Sequence, residues 1–138
     1  MTRPCTIGLC VCLALAGFVA ALPSYAQEGA PDGALRAQIV GRWGEGDAPY
    51  GVVGFGADGV YRMWVYESPT MEHLIGQAKG TWRIEGGKLR TTISETSPRL
   101  PPADPDYVHV EGIFQITGTT LTLVDRNGTK YTKEKITK

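Results

Sequence analysis

The chain has 138 residues, with 14 basic and 14 acidic side chains, 42% hydrophobic and 20% charged residues, which excludes a disordered polymer, a multidomain enzyme and a strongly basic nucleic-acid binder. Eighteen glycines and nine prolines in so short a chain predict many turns between short strands, and hence an all-β fold.

In chain order, Arg3 precedes an apolar run from Ile7 to Leu22, which is followed by Pro23-Ser24-Tyr25-Ala26. The small residues Ser24 and Ala26 around Tyr25 match a signal-peptidase site, so residues 1–26 read as a signal peptide cleaved after Ala26, and the protein is expected to be periplasmic or secreted. The apolar run is shorter than the roughly 20 residues that span a bilayer, so no stable membrane anchor is expected. Cys5, Cys10 and Cys12 all fall inside the signal, leaving an expected mature domain without thiols and with a net charge near −1, from 13 basic and 14 acidic residues. No nucleic-acid partner is expected of such a charge balance.

Residues 27–34 read as a flexible N-terminal segment and 35–138 as the barrel domain. Pro31 to Gln38 predicts one or two helical turns, because Pro31 suits a first turn and Ala34, Leu35, Arg36 and Ala37 are good helix formers. Strands are predicted at Ile39–Trp43, Gly51–Gly56 and Val60–Glu67, the last two joined by Ala57-Asp58-Gly59. Gln77–Glu85 alternates most cleanly, with Ala78, Gly80, Trp82 and Ile84 on one face, and Gly86-Gly87 turns it into Lys88–Glu95. Tyr107–Thr117 places Val108, Val110, Phe114 and Ile116 on one face and His109, Glu111 and Gln115 on the other. Thr119–Asp125 and Thr129–Ile136 flank the hairpin signal Asn127-Gly128.

Eight strands in a meander place their connections at alternating ends. The tight turns at Ala57–Gly59, Gly86-Gly87 and Gly118 then share one end. The other end collects Gly44–Tyr50, Ser68–Gly76, Thr96–Asp106 and the short Arg126–Gly128 turn. Such a barrel is filled by side chains or holds one small ligand, and loops carry function more often than scaffolds.

Three segments resemble the lipocalin family and its small bacterial relatives: Gly41-Arg42-Trp43 in the manner of the Gly-x-Trp first strand, Phe55-Gly56-Ala57-Asp58-Gly59-Val60-Tyr61, and Gly80-Thr81-Trp82 followed by Gly86-Gly87-Lys88-Leu89. The resemblance runs from Leu35 to Ile136 and implies an eight-stranded antiparallel up-and-down β-barrel, lipocalin-like, with a short N-terminal helical turn. Where that family carries a late arginine across the tryptophan, this chain has only Lys130, Lys133 and Lys135 in its last strand, and lysine lacks the planar guanidinium that stacks.

Candidate binding residues lie in the third strand and the rim. Tyr61, Met63 and Val65 share one face of the strand; Val60, Arg62, Trp64 and Tyr66 share the other. If the second set lines the mouth, Trp64 and Tyr66 give an apolar wall and Arg62 a counter-charge; if it faces outward, it is an aromatic patch for a protein partner. Tyr50, Met71, His73 and Arg99 sit in or beside the rim loops and complete the candidate set. The apolar loop Ser68–Gly76 could serve as a lid, or Leu74 and Ile75 could simply tuck over the mouth. Asp104 and Asp106 form a spaced pair without the further oxygen ligands of a calcium loop. With only His73 and His109 and no mature cysteine, neither a metal, a cofactor nor an enzyme activity is expected. The expectation is a monomeric, exported, non-catalytic protein binding a small apolar or amphipathic molecule at the loop-rimmed end. The alternative is a periplasmic inhibitor or immunity-type protein that blocks an enzyme partner with its rim loops.

Overall fold

The computed structural model describes residues 30–137; the signal peptide read at 1–26, its cleavage after Ala26 and the start of the N-terminal segment at 27–29 lie outside the described residues. Among the described residues one helix, α1 (Asp32–Ile39), leads into eight strands: β1 (Gly41–Glu45), β2 (Tyr50–Phe55), β3 (Val60–Tyr66), β4 (Leu74–Glu85), β5 (Lys88–Thr96), β6 (His109–Ile116), β7 (Thr120–Val124) and β8 (Lys130–Ile136). Consecutive strands pair antiparallel, and β8 returns to β1 through Arg42↔Ile136, Trp43↔Lys135 and Gly44↔Glu134, closing the barrel. Closure gives every strand two partners, which limits the sheet edge open to pairing with another chain.

The helix extends further than its sequence signal. Ile39 and Val40 were expected to open the first strand, but Ile39 ends α1 and Val40 caps it, its N–H donating to Arg36 O at 3.3 Å. The reason is the i, i+4 pair Leu35 and Ile39, 1% and 0% exposed, which helical spacing brings to one face and drives into the barrel's base. Gly41, at φ +135°, then turns the chain into β1.

Two polar anchors hold α1 to the tight-turn end. The Asp32 carboxylate accepts from Gly86 N at 3.0 Å and Gly87 N at 2.8 Å, so it reads the β4–β5 turn directly. The Arg36 guanidinium donates to Ala57 O in the β2–β3 turn at 3.0 Å and lies 4.5 Å from the Trp82 ring. Both turns therefore share one end of the barrel, as the alternating connections require, and α1 closes it. Asp32→Ala removes two charge-assisted acceptors at a partly exposed site and is expected to lower the unfolding free energy by about 1–2 kcal/mol, read by urea denaturation. A variant indistinguishable from the parent would show that Leu35 and Ile39 alone hold the helix.

Above this plug, Trp43, Phe55, Trp82, Leu89, Ile116, Leu121 and Leu123 form the buried core. The indole N–H groups of both core tryptophans are satisfied, Trp43 Nε1 donating to Ile39 O at 2.8 Å and Trp82 Nε1 to Gly56 O at 2.9 Å. One of the last-strand lysines covers Trp43: Lys135 Nζ lies 4.7 Å from its ring and donates to Val40 O at 3.0 Å. An ammonium needs no planar stacking to engage an aromatic face.

The faces of β6 are the reverse of those expected over most of its length. Glu111 and Ile113 point inward and His109, itself exposed, borders the cavity at the mouth on the same face, whereas Phe114 is turned outward and 43% exposed. The cause is a β-bulge: Ile113 pairs with Leu123 and Gln115 with Thr122, leaving Phe114 as the extra residue. One inserted residue resets a period-two pattern, so Ile116 points inward again.

Candidate functional site

Inward-facing residues of the upper barrel surround a cavity of about 350 Å³. Its apolar lining comes from Val53 and Phe55 of β2, Met63 of β3, Leu89 and Ile93 of β5 and Leu123 of β7. Its polar lining comes from Tyr61, Thr91, His109, Glu111, Tyr131 and Lys133. The register accounts for them, since residues paired across strands share a face: the inward Trp43, Tyr61, Trp82 and Leu123 stand opposite Val53, Phe55, Thr91 and Tyr131, and second neighbours along each strand follow.

Met63, Ile93 and His109 also line a second recess of about 500 Å³ under the rim segment from Leu100 to Asp104, so these three form a neck between the interior and the mouth. The rim segment is held down by packing: Leu100 stands where a side chain on Gly76 would be, its Cγ only 2.7 Å from such a Cβ. Ser97 anchors its start, donating through N to Gln77 O at 2.9 Å and accepting Gln77 N on Oγ at 3.0 Å. Asp104 ends it with an internal turn, its carboxylate accepting Asp106 N at 3.0 Å. Beyond it the Tyr107 ring meets the His109 imidazole edge-on at 4.6 Å.

A third recess of about 550 Å³ opens sideways, where β6 above Gly112 has no β7 partner because the β7–β8 hairpin turns at Asp125–Gly128. It shares His109, Glu111 and Tyr131 with the interior, so Glu111 can be approached from the side as well as from the neck.

The interior is electrically uneven. Lys133 Nζ pairs with Glu45 Oε2 at 3.1 Å. Glu111 has no ion pair among the described residues. Burial raises its carboxyl above the ordinary 4.5, Glu45 and Asp125 push the same way, and Lys133 only partly offsets them. Burial, reinforced by Glu111, also raises the Tyr61 phenol, which therefore stays neutral at any pH the fold meets. Because folded Glu111 holds its proton more tightly than the unfolded chain, its contribution to stability is complete below about pH 4.5 and is lost as the pH rises through the raised value. Glu111→Gln is therefore expected to raise the melting temperature at neutral pH and to leave it nearly unchanged at pH 4. Thermal unfolding at the two pH values checks this, and an equal shift at both would contradict it.

The candidates named from sequence are distributed over two surfaces. Tyr61 and Met63 face the interior, so Arg62, Trp64 and Tyr66 face outward. Trp64 lies over Gly54, its ring carbons 3.2–3.3 Å from where a Cβ would stand, beside the Arg42 side chain. Tyr50, paired with Tyr66, lays its hydroxyl over Gly44 in the same way. Val52, opposite Trp64 on this outer face, is only 1% exposed. These aromatics thus roof glycines and a valine of their own sheet. Arg62 and Trp64 border an outer groove of about 360 Å³ with Lys79 and Glu95, which shares no lining residue with the interior cavity.

Met71, at φ +59°, and His73 occupy the β3–β4 loop, which closes through Glu67 N donating to His73 O at 2.9 Å. Arg99 is exposed on the rim. None of the three lines the interior cavity. Leu74 belongs to β4 and is 46% exposed, so Leu100, not Leu74, is the apolar residue folded over the rim.

The sequence reading missed Tyr61, Glu111, Lys133 and Glu45 as site residues. A signal for Glu45 was present: Trp43 points inward, and two residues further along a strand the side chain returns to the same face. Lys133 and Glu111 gave no such signal, since β8 is polar on both faces and the β6 bulge conceals the parity.

No family model matches the chain, and no curated protein matches it. Among solved structures, the NMR structure of a protein from Bacteroides thetaiotaomicron VPI-5482 is similar, at 22% identity over 73% of this chain and 91% of that one, with a TM-score of 0.49.

Proposed function

We propose that the protein is an exported, non-catalytic carrier or sensor that takes one small amphipathic molecule into its barrel through the rim, as the resemblance to lipocalins implies. The observation behind this reading is the interior cavity of about 350 Å³ that meets the rim recess at Met63, Ile93 and His109. That size lies at the small end of ordinary ligand sites, and its composition is mostly apolar walls with a few convergent polar groups. The closed end, plugged by α1, leaves the mouth and the side opening as the ways in. Export rests on the apolar run Ile7–Leu22 and the small residues before Gln27.

The test uses the neutral fluorophore N-phenylnaphthylamine. The parent is expected to bind it with an emission increase. Met63→Trp, which fills the neck, is expected to weaken binding by about tenfold or more, since extra volume there displaces the ligand. Trp64→Leu, on the outer face, is expected to change it less than about twofold. The opposite ranking would move the site to the outer grooves, and no binding by the parent would end the interior reading.

A further inference from the structure

The polar groups inside the barrel are not balanced, and the imbalance specifies a class of ligand. Lys133 is committed to Glu45 at 3.1 Å, which leaves Glu111 as an interior carboxylate with no ion pair among the described residues. Asp125, at the side opening, is already occupied, its Oδ1 accepting Asn127 N at 2.8 Å and Thr129 N at 2.9 Å. Close by, Tyr61 is only 8% exposed, and its hydroxyl, in the cavity wall, has no hydrogen-bond partner among the described residues. A hydroxyl and a half-buried carboxylate without protein partners on one cavity wall are free to engage a ligand that completes them. Around them the lining is apolar: Val53, Phe55, Leu89 and Leu123.

Resting on the interior-binding reading above, we propose that the ligand is an amphipathic amine, its ammonium received by Glu111 beside the Tyr61 hydroxyl and its apolar body extending toward the Met63–Ile93 neck. An ammonium gives Glu111 the counter-charge it lacks and offers a donor to the free lone pairs of the Tyr61 oxygen. A carboxylic acid would instead bring a third negative charge beside Glu45 and Glu111, with one lysine to serve all three. A neutral alcohol of the same length would gain the apolar contacts and leave Glu111 unpaired.

Isothermal titration calorimetry with decylamine, decanol and decanoate separates these cases, because the three share one chain and differ in head group. The amine is expected to bind about tenfold or more tightly than either of the others. In Glu111→Gln that preference is expected to vanish, the amine falling to the level of the alcohol while the alcohol changes less than about twofold. Tyr61→Phe, which keeps the ring and removes only the hydroxyl, is expected to weaken the amine selectively, so the outcome does not hang on one variant. Equal affinity for all three, tighter binding of the acid, or an amine preference that survives Glu111→Gln would overturn the assignment while leaving interior binding intact. If none of the three binds, the interior-binding reading itself fails.

Discussion

Trp43→Ala is expected to lower the unfolding free energy by about 3–5 kcal/mol, the usual cost of emptying a large aromatic site in a packed core. Against the roughly 5–15 kcal/mol that holds a small domain together, such a loss leaves the barrel barely folded or unfolded at 37 °C. Three features place the cost at the upper end. The side chain is 0% exposed, so its whole volume becomes a cavity. Its Nε1 donates to Ile39 O at 2.8 Å, so the last carbonyl of α1 loses its partner inside the core. Lys135, 4.7 Å above the ring, loses the face it lies against. Trp43→Phe separates these contributions: it keeps most of the packing and an aromatic face but removes the indole N–H, and is expected to cost about 1–2 kcal/mol. Urea denaturation followed by circular dichroism measures both, independently of the fluorophore that the substitutions remove. If the phenylalanine variant is as unstable as the alanine one, the tie to α1 rather than the filled volume holds this end of the barrel.

The elements were legible wherever local chemistry speaks alone. The β7–β8 hairpin follows from Asn127-Gly128, with Gly128 at φ +85° and the Asp125 carboxylate gathering Asn127 N and Thr129 N. β4 follows from strict alternation, and Ala78 and Trp82 are buried as that alternation requires. The sorting of tight and long connections needed only the meander, and α1 bridging Ala57 and Gly86 agrees with it. What could not be read was the orientation of strands whose two faces have similar chemistry. In β3 aromatic residues occupy both faces, and the choice is made by the neighbours: Gly54 gives Trp64 a flat seat outside, as Gly44 does for Tyr50 of β2, while Tyr61 packs within against Phe55, which in turn meets Trp82 edge-on. In β6 the bulge at Phe114 breaks the period, so an apolar pattern that continues across it mixes the two faces. That break concealed the candidate site, because Glu111 and His109 read as solvent-facing as long as the pattern is taken as unbroken.

The β4–β5 bulge carries the same lesson into energetics. Gly80→Ala is expected to destabilise the barrel by about 3 kcal/mol, although the change adds one methyl group and the backbone there is not in the left-handed region. A Cβ at Gly80 would overlap Thr92 O and stand 2.8 Å from Thr92 C and 2.9 Å from Ile93 Cα. All three are backbone atoms, which cannot swing aside as a side chain can. The close approach arises because the pairing shifts between Lys79↔Glu95 and Gly80↔Ile93, leaving Ser94 as the extra residue with its hydroxyl donating to Lys79 O at 3.2 Å. Relief requires moving β5, and that would disturb Ile93 at the neck and the Gln77–Ser97 bonds that start the rim segment. Gly112→Ala is the matched control, since its Cβ would stand 3.7 Å from Val124 Cβ, an ordinary contact, and a strand alanine is favoured over glycine by about 0.5–1 kcal/mol. Urea midpoints of the two variants should therefore move in opposite directions. A Gly80→Ala variant that keeps parental stability would mean the bulge can be expelled, and its binding of N-phenylnaphthylamine should then change with the displaced Ile93.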